Sequence, residues 1–170
     1  MPKTIAILAT LDTKAAEADF MRQEIQALGG QALLIDLSVM GESPKVRADI
    51  TKEAIAQAGG SSIEELRTNP SRQKASPVLI QGATKVLLER IAQGSVHAVV
   101  ALGGTQGTSN CSQVLQALPY GFPKVMLSTA ASGDTKPFVG IKDITMMFSV
   151  SDILGLNPFA RRILANAAAA

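Results

Sequence analysis

The chain reads as an α/β domain, an open parallel sheet of about five strands with helices on both faces. Three observations predict it. Short apolar, β-branched segments alternate from end to end with segments of helical period. Those apolar segments are continuous rather than alternating, as strands buried on both faces must be. Aromatic residues make up only 4% of the 170 residues, with no Trp, against 46% hydrophobic residues overall, so Ala, Val, Ile and Leu have to build the core.

The elements follow in order. Residues 4–10 (Thr-Ile-Ala-Ile-Leu-Ala-Thr) form the first strand. Leu11–Lys14 is expected as a short polar loop. A helix then spans Ala15–Leu28, with Phe20, Met21, Ile25 and Leu28 on one side and Gly29-Gly30 ending it. Ala32–Leu37 is the second strand and carries Asp36 near its end. Ser38–Pro44 is a loop, and Asp49 is read as the N-cap of a short helix running to Ala58, stopped by Gly59-Gly60. Residues 61–75 are expected to be the longest irregular stretch, a lid or interface loop with one helical turn around Ile63–Leu66. Ser76-Pro77 reads as the N-cap and first-turn pair of a helix reaching Ala92.

Val96–Leu102 is the third strand, Thr108–Leu118 a helix with Cys111, Val114, Leu115 and Leu118 on one stripe, and Lys124–Ser128 the fourth strand. A Gly/Ser-rich loop, Ser128–Pro137, leads towards a fifth strand at Asp143–Val150. A terminal helix covers 157–169, with Asn157 as N-cap and Pro158 at its first position.

Composition excludes several classes. A net charge of +2, with no Lys/Arg cluster interleaved with aromatics, argues against nucleic acid. No apolar run approaches the roughly 20 residues that cross a membrane, and no signal peptide is visible, so a cytoplasmic protein is the default. One Cys and one His exclude an internal disulfide and argue against a zinc site, and no metal ligand set is assigned. The terminal Arg-Arg-Ile-Leu-Ala-Asn-Ala-Ala-Ala-Ala carries no helix stop signal. The chain is therefore read as a single domain cut inside or just after a helix of a longer protein.

In an open parallel sheet, ligands bind beyond the carboxyl ends of the strands. Four small, polar loops follow strands here: Asp12-Thr13-Lys14, Gly103–Ser109, Ser128–Asp134 and Ser149–Asp152. In the second, Gly103, Gly104 and Gly107 allow close backbone approach, and Thr105, Thr108 and Ser109 add hydroxyls. A phosphate or carboxylate fits such a turn at a helix N-terminus. The plain alternative is a tight strand-to-helix turn. The segment lacks the lysine of a Walker motif, and Leu102 stands where a dinucleotide fingerprint has its first glycine.

Lys14 can supply a cation beside Thr13. Asp12 can accept a hydroxyl or hold Mg²⁺ through water, or else simply cap the first helix. Ser128, Thr129, Ser132 and Gly133 form either a second anion- or sugar-contacting wall or a mobile surface loop. Asp36 sits where a ribose hydroxyl is often held, or is a helix or turn cap, and Asp152 reads as a cap. Cys111 falls on an apolar stripe and His97 lies at the end opposite the rim, so no catalytic residue is assigned and enzyme status stays open.

Four segments together carry a resemblance: Thr10–Lys14, Leu102–Ser109, Pro123–Gly133 and Ser149–Asn157. In this order the chain resembles the family of the tomato mosaic virus resistance protein and its uncharacterised bacterial relatives. The resemblance implies that residues 1–170 are a single nucleotide-binding-like domain, Rossmann-like and ATP-binding, the N-terminal fragment of a longer two-domain protein whose family members associate as dimers. The plant member's antiviral role is not carried over. Gln106 follows Thr105 here where the plant protein has Ser-Gly. The expected function is ATP binding, with phosphates on the Gly103–Ser109 backbone and Lys14 neutralising charge. The rivals are one wall of an enzyme cleft for a phosphorylated or carboxylate small molecule, and a dimerisation or partner-interaction module.

Overall fold

In a computed structural model, which describes residues 2–43, 45–68 and 71–170, five strands alternate with seven helices. The elements are β1 (Thr4–Ala9), α1 (Leu11–Ala27), β2 (Gln31–Asp36), α2 (Lys52–Ala58), α3 (Ile63–Thr68), α4 (Arg72–Ala92), β3 (Ala98–Gly103), α5 (Thr105–Ala117), β4 (Lys124–Ser128), α6 (Lys136–Val139), β5 (Thr145–Phe148) and α7 (Pro158–Ala169). All strand pairs are parallel, in the order β2-β1-β3-β4-β5. This is the α/β, Rossmann-like layout that the patterning predicts.

Within each strand, side chains alternate between two separate cores. Ala6, Leu8, Val99, Ala101 and Met126 pack with α2, α3, α4 and α5. Ile7, Ala9, Val100, Leu102 and Leu127 pack with α1 and α7. Both faces are covered, which is why the strands read as unbroken apolar runs. Full burial of a side chain such as Leu8 or Leu102 contributes about 1.5–3 kcal/mol. No described helix is long and apolar enough to cross a membrane.

Several boundaries differ from the sequence reading, each for a physical reason. α1 begins at Leu11 rather than Ala15, because the Asp36 carboxylate accepts from the Leu11 N–H at 3.0 Å and supplies the missing cap. Lys14 is the one non-helical residue inside it (φ −124°, ψ 21°). The cap of α2 is Thr51, whose hydroxyl accepts from Ala54 N–H. Asp49 instead accepts from Leu34 N–H at 2.7 Å and fastens its segment beside β2. Residues 61–75 are largely helical, in α3 and the start of α4, except that Asn69 and Pro70 lie outside the described residues. α4 starts at Arg72, with Ser71 as N-cap, so Pro77 lies within the helix instead of opening it.

α5 begins at Thr105, three positions before its expected start, and the β4–β5 connection holds the short helix α6. β5 is shorter than expected because both of its flanks are occupied elsewhere. Asp143 pairs with the buried Lys124 at 2.9 Å and accepts from Gly121 N–H, while Ser149–Ser151 forms a tight turn with Val150 at φ 64°.

Two glycines set the distance between helices. A Cβ on Gly82 of α4 would lie 2.0 Å from the Ile55 carbonyl of α2, and one on Gly59 would lie 2.1 Å from the Val78 carbonyl. The α2–α4 crossing is therefore a backbone-to-backbone approach that only glycine allows.

Candidate functional site

β1 lies between β2 and β3, so the connection leaving β2 runs to the opposite side of β1 from the helix that leads into it. Carboxyl ends of strands at such a reversal of order leave a crevice. Here the crevice lies between Thr10, at the end of β1, and Gly103-Gly104, at the end of β3.

The glycine turn is tight. A Cβ on Gly103 would sit 2.7–2.8 Å from the backbone of Gly107 and Thr108, so this glycine is what lets α5 fold back against β3. Gly104 differs: a Cβ there would meet only the Thr129 hydroxyl, at 3.9 Å, and would project into open space. Gly104 is the N-cap of α5 and no side chain caps the helix. Thr108 N–H bonds back to the Gly104 carbonyl, and no described group accepts from the N–H groups of Thr105, Gln106 or Gly107. Unpaired N–H groups at a helix start carry partial positive charge.

Thr108 and Ser128, expected as ligand hydroxyls, are fully buried and bond to each other at 2.6 Å. Thr108 also donates to the Gly103 carbonyl, and Ser128 accepts from Ala130 N–H. They brace the rim. Thr129 is brought to the glycine turn, its N–H bonding the Gly103 carbonyl at 3.3 Å. Ser132 and Gly133 are exposed in the following turn, and no described hydrogen bond joins them to Gly103–Ser109. The Ser109 carbonyl accepts from Ser112 and Gln113 one turn on.

On the β1 side, the Thr10 and Thr13 hydroxyls bond at 3.2 Å. Lys14 does not point a free ammonium at the rim, because it donates to the Ile153 carbonyl. Glu17, one turn on and buried, accepts from Gly155 N–H at 2.6 Å. Both therefore hold the 149–157 segment to α1. Asp36 is occupied by Leu11 N–H, Ser38 N–H and the Ser38 hydroxyl, which makes it the cap of the alternative reading. Asp12 is half-buried under Gly41, where a Cβ would fall 2.6 Å from the Asp12 Cβ. The wall beyond Asp12 is set by Glu42, which bonds the buried Lys52 at 2.7 Å and Arg67 at 2.8 Å; these two cations hold its carboxyl below the usual range.

A cleft of about 400 Å³ opens at this rim. Its apolar wall includes Leu37, Leu66 and Leu79, and its polar groups include Thr10, Asp12, Ser71, Gln106 and Asn110. Ser71 is the N-cap of α4, and no described side-chain bond caps that helix either. Two helix N-termini therefore border one cleft whose described lining holds no Lys or Arg. Sequence reasoning passed over Gln106 and Asn110. The available signal was Asn110 itself, a polar residue one position before the apolar stripe that starts at Cys111. Cys111 is buried and its thiol is pushed up to about 12 by desolvation, so it is inert as a nucleophile at neutral pH. His97 lies at the opposite end, its Nδ1 accepting from Thr4 N–H at 3.1 Å.

Comparison with known proteins places the chain in a family. The family described as "Uncharacterised protein family (UPF0261) N-terminal domain" matches residues 3–170. A UPF0261 protein of Clostridium tetani is 45% identical over 168 residues, which is 99% of this chain and 41% of that protein. The UPF0261 protein RA0729 of Rhizobium meliloti is 37% identical over 168 residues, with the same two coverages of 99% and 41%. The ToMV susceptible protein tm-1(GCR26) of Solanum lycopersicum is 36% identical over 99 residues, or 58% of this chain and 13% of that protein. The chain thus spans about two-fifths of the length of the bacterial relatives it matches. Matched along nearly its whole length, the chain belongs to the UPF0261 N-terminal domain family.

Proposed function

We propose that the cleft at the carboxyl ends of β1 and β3 binds a nucleoside triphosphate, ATP. One observation carries the reading: the uncapped start of α5 borders, through Gln106, a cleft with an apolar wall. The N–H groups of Thr105, Gln106 and Gly107 would hold phosphate oxygens, and the Thr129 hydroxyl would close the side towards β4. Leu37, Leu66 and Leu79 offer the base a surface to bury against. Asp12 at the same rim would hold Mg²⁺ through water, the mode in which that ion commonly accompanies phosphates. Lys14 is held at the Ile153 carbonyl and does not line the cleft, so compensation of phosphate charge would fall first to the helix N-termini.

Titration calorimetry on the wild-type chain and on Gly104→Leu tests this. A Cβ at 104 would meet only the Thr129 hydroxyl, at 3.9 Å, so the backbone turn itself accepts a side chain there. The expected result is ATP binding to the wild type and a loss of at least about tenfold in the variant, with an unchanged melting temperature. Absence of ATP binding to the wild type, or equal affinity in the two proteins, overturns the reading.

A further inference from the structure

We propose that Gln106 and Asn110 are the specificity-determining pair of this cleft and read the edge of an adenine base through one acceptor and one donor. The inference rests on the nucleotide reading above. Residues four apart on a helix share a face, and the pair is joined by a hydrogen bond, Gln106 Nε2 donating to Asn110 Oδ1 at 3.0 Å. Both line the cleft, Gln106 exposed at its mouth and Asn110 only 7% exposed within it. The bond uses the Asn110 oxygen and leaves its Nδ2 group with no described acceptor. It likewise leaves Gln106 Oε1 without a described donor.

Among the described residues no side-chain nitrogen or oxygen is both buried and unpartnered, so the Asn110 Nδ2 group, although its residue is buried, reaches open space. Asn110 is buried next to the apolar stripe of α5, where Cys111, Val114 and Leu115 lie in the core. An asparagine there, with its NH₂ open to a cleft walled by Leu66 and Leu79, is arranged to donate to something that enters the cleft. The mutual bond also fixes the order of the remaining groups, with the donor inside on Asn110 and the acceptor outside on Gln106. Adenine carries an acceptor and an amino donor side by side and matches amides in two-point contact. On the edge formed by N1 and the 6-substituent, hypoxanthine carries N1–H and O6, reverses both groups, and would set acceptor against acceptor and donor against donor.

Binding of ATP, of inosine triphosphate and of inorganic tripolyphosphate to the 170-residue chain separates the possibilities. The expected wild-type result is a preference of at least about tenfold for ATP over inosine triphosphate. In Asn110→Leu that preference collapses towards one, while tripolyphosphate binds as before. Gln106→Leu, at an exposed position, loses the same preference for ATP over inosine triphosphate and keeps the test decisive if the Asn110 variant does not fold. Equal binding of the two nucleotides by the wild type, or a preference that survives in Gln106→Leu, overturns the pair's role but leaves the phosphate site standing. Failure of ATP and tripolyphosphate alike to bind the wild type removes both.

Discussion

Thr108 and Ser128 meet hydroxyl to hydroxyl at 2.6 Å, both fully buried, and so bolt the first turn of α5 to the carboxyl end of β4. The glycine turn is built against this bolt. Thr108→Val keeps the shape and a similar helix propensity but removes the hydroxyl. It is expected to cost roughly 1–2 kcal/mol, since Ser128 still accepts from Ala130 N–H. Urea unfolding measures this, and a midpoint within error of the wild type would deny the bolt any energetic role.

Gly103 and Gly104 are adjacent and are expected to respond differently. Gly103→Ala places a Cβ 2.7 Å from the Gly107 backbone, which cannot yield without shifting α5 away from β3. A loss of about 1–3 kcal/mol is expected, the usual cost of overpacking. Gly104→Ala should be neutral in the same assay. Thermal melts of the two variants side by side check the contrast, and equal melting temperatures would contradict it.

Acid stability should depend on Asp143. The Lys124 ammonium, with its side chain buried, and the Gly121 N–H hold the Asp143 carboxyl below its usual range. A depressed folded-state value means that the contribution is complete above the unfolded value of about 3.9 and is lost as pH falls through the folded one. Asp143→Asn should therefore lower stability at pH 7 and flatten its fall below about pH 4. Urea midpoints from pH 7 to pH 3 test this; parallel curves for the two proteins would assign the acid dependence to other carboxylates.

The layered architecture was legible because both faces of the sheet are covered. Runs such as Ile5–Ala9 and Val99–Leu102 have no solvent face and so show no alternation. Element starts were legible only where the cap is local. Asn157, whose side chain accepts from Ala160 N–H, marks α7 in the sequence itself. α1 is capped by Asp36, 25 residues away in the chain, and nothing near Leu11 announces it. The site divides in the same way. The glycine turn is a property of consecutive residues, so it could be read directly. Lys14 could not be placed, because its partner, the Ile153 carbonyl, is 139 residues distant. The Gln106–Asn110 pair acquires meaning only from a cleft that Leu66, Ser71 and Leu79 complete from other elements.

The position of β1 between β2 and β3 has a consequence for how the protein is made. β1 leaves the ribosome before either of its neighbours, and one of them arrives only with β3. Thr4 bonds His97 across a separation of 93 residues. The rim that joins Thr10 to Gly104 therefore does not exist until β3 has been synthesised and has docked. Contacts of such separation form slowly. A ligand of this cleft can stabilise only the assembled sheet. It acts as a late clamp on a finished fold, and has no part in guiding the nascent one.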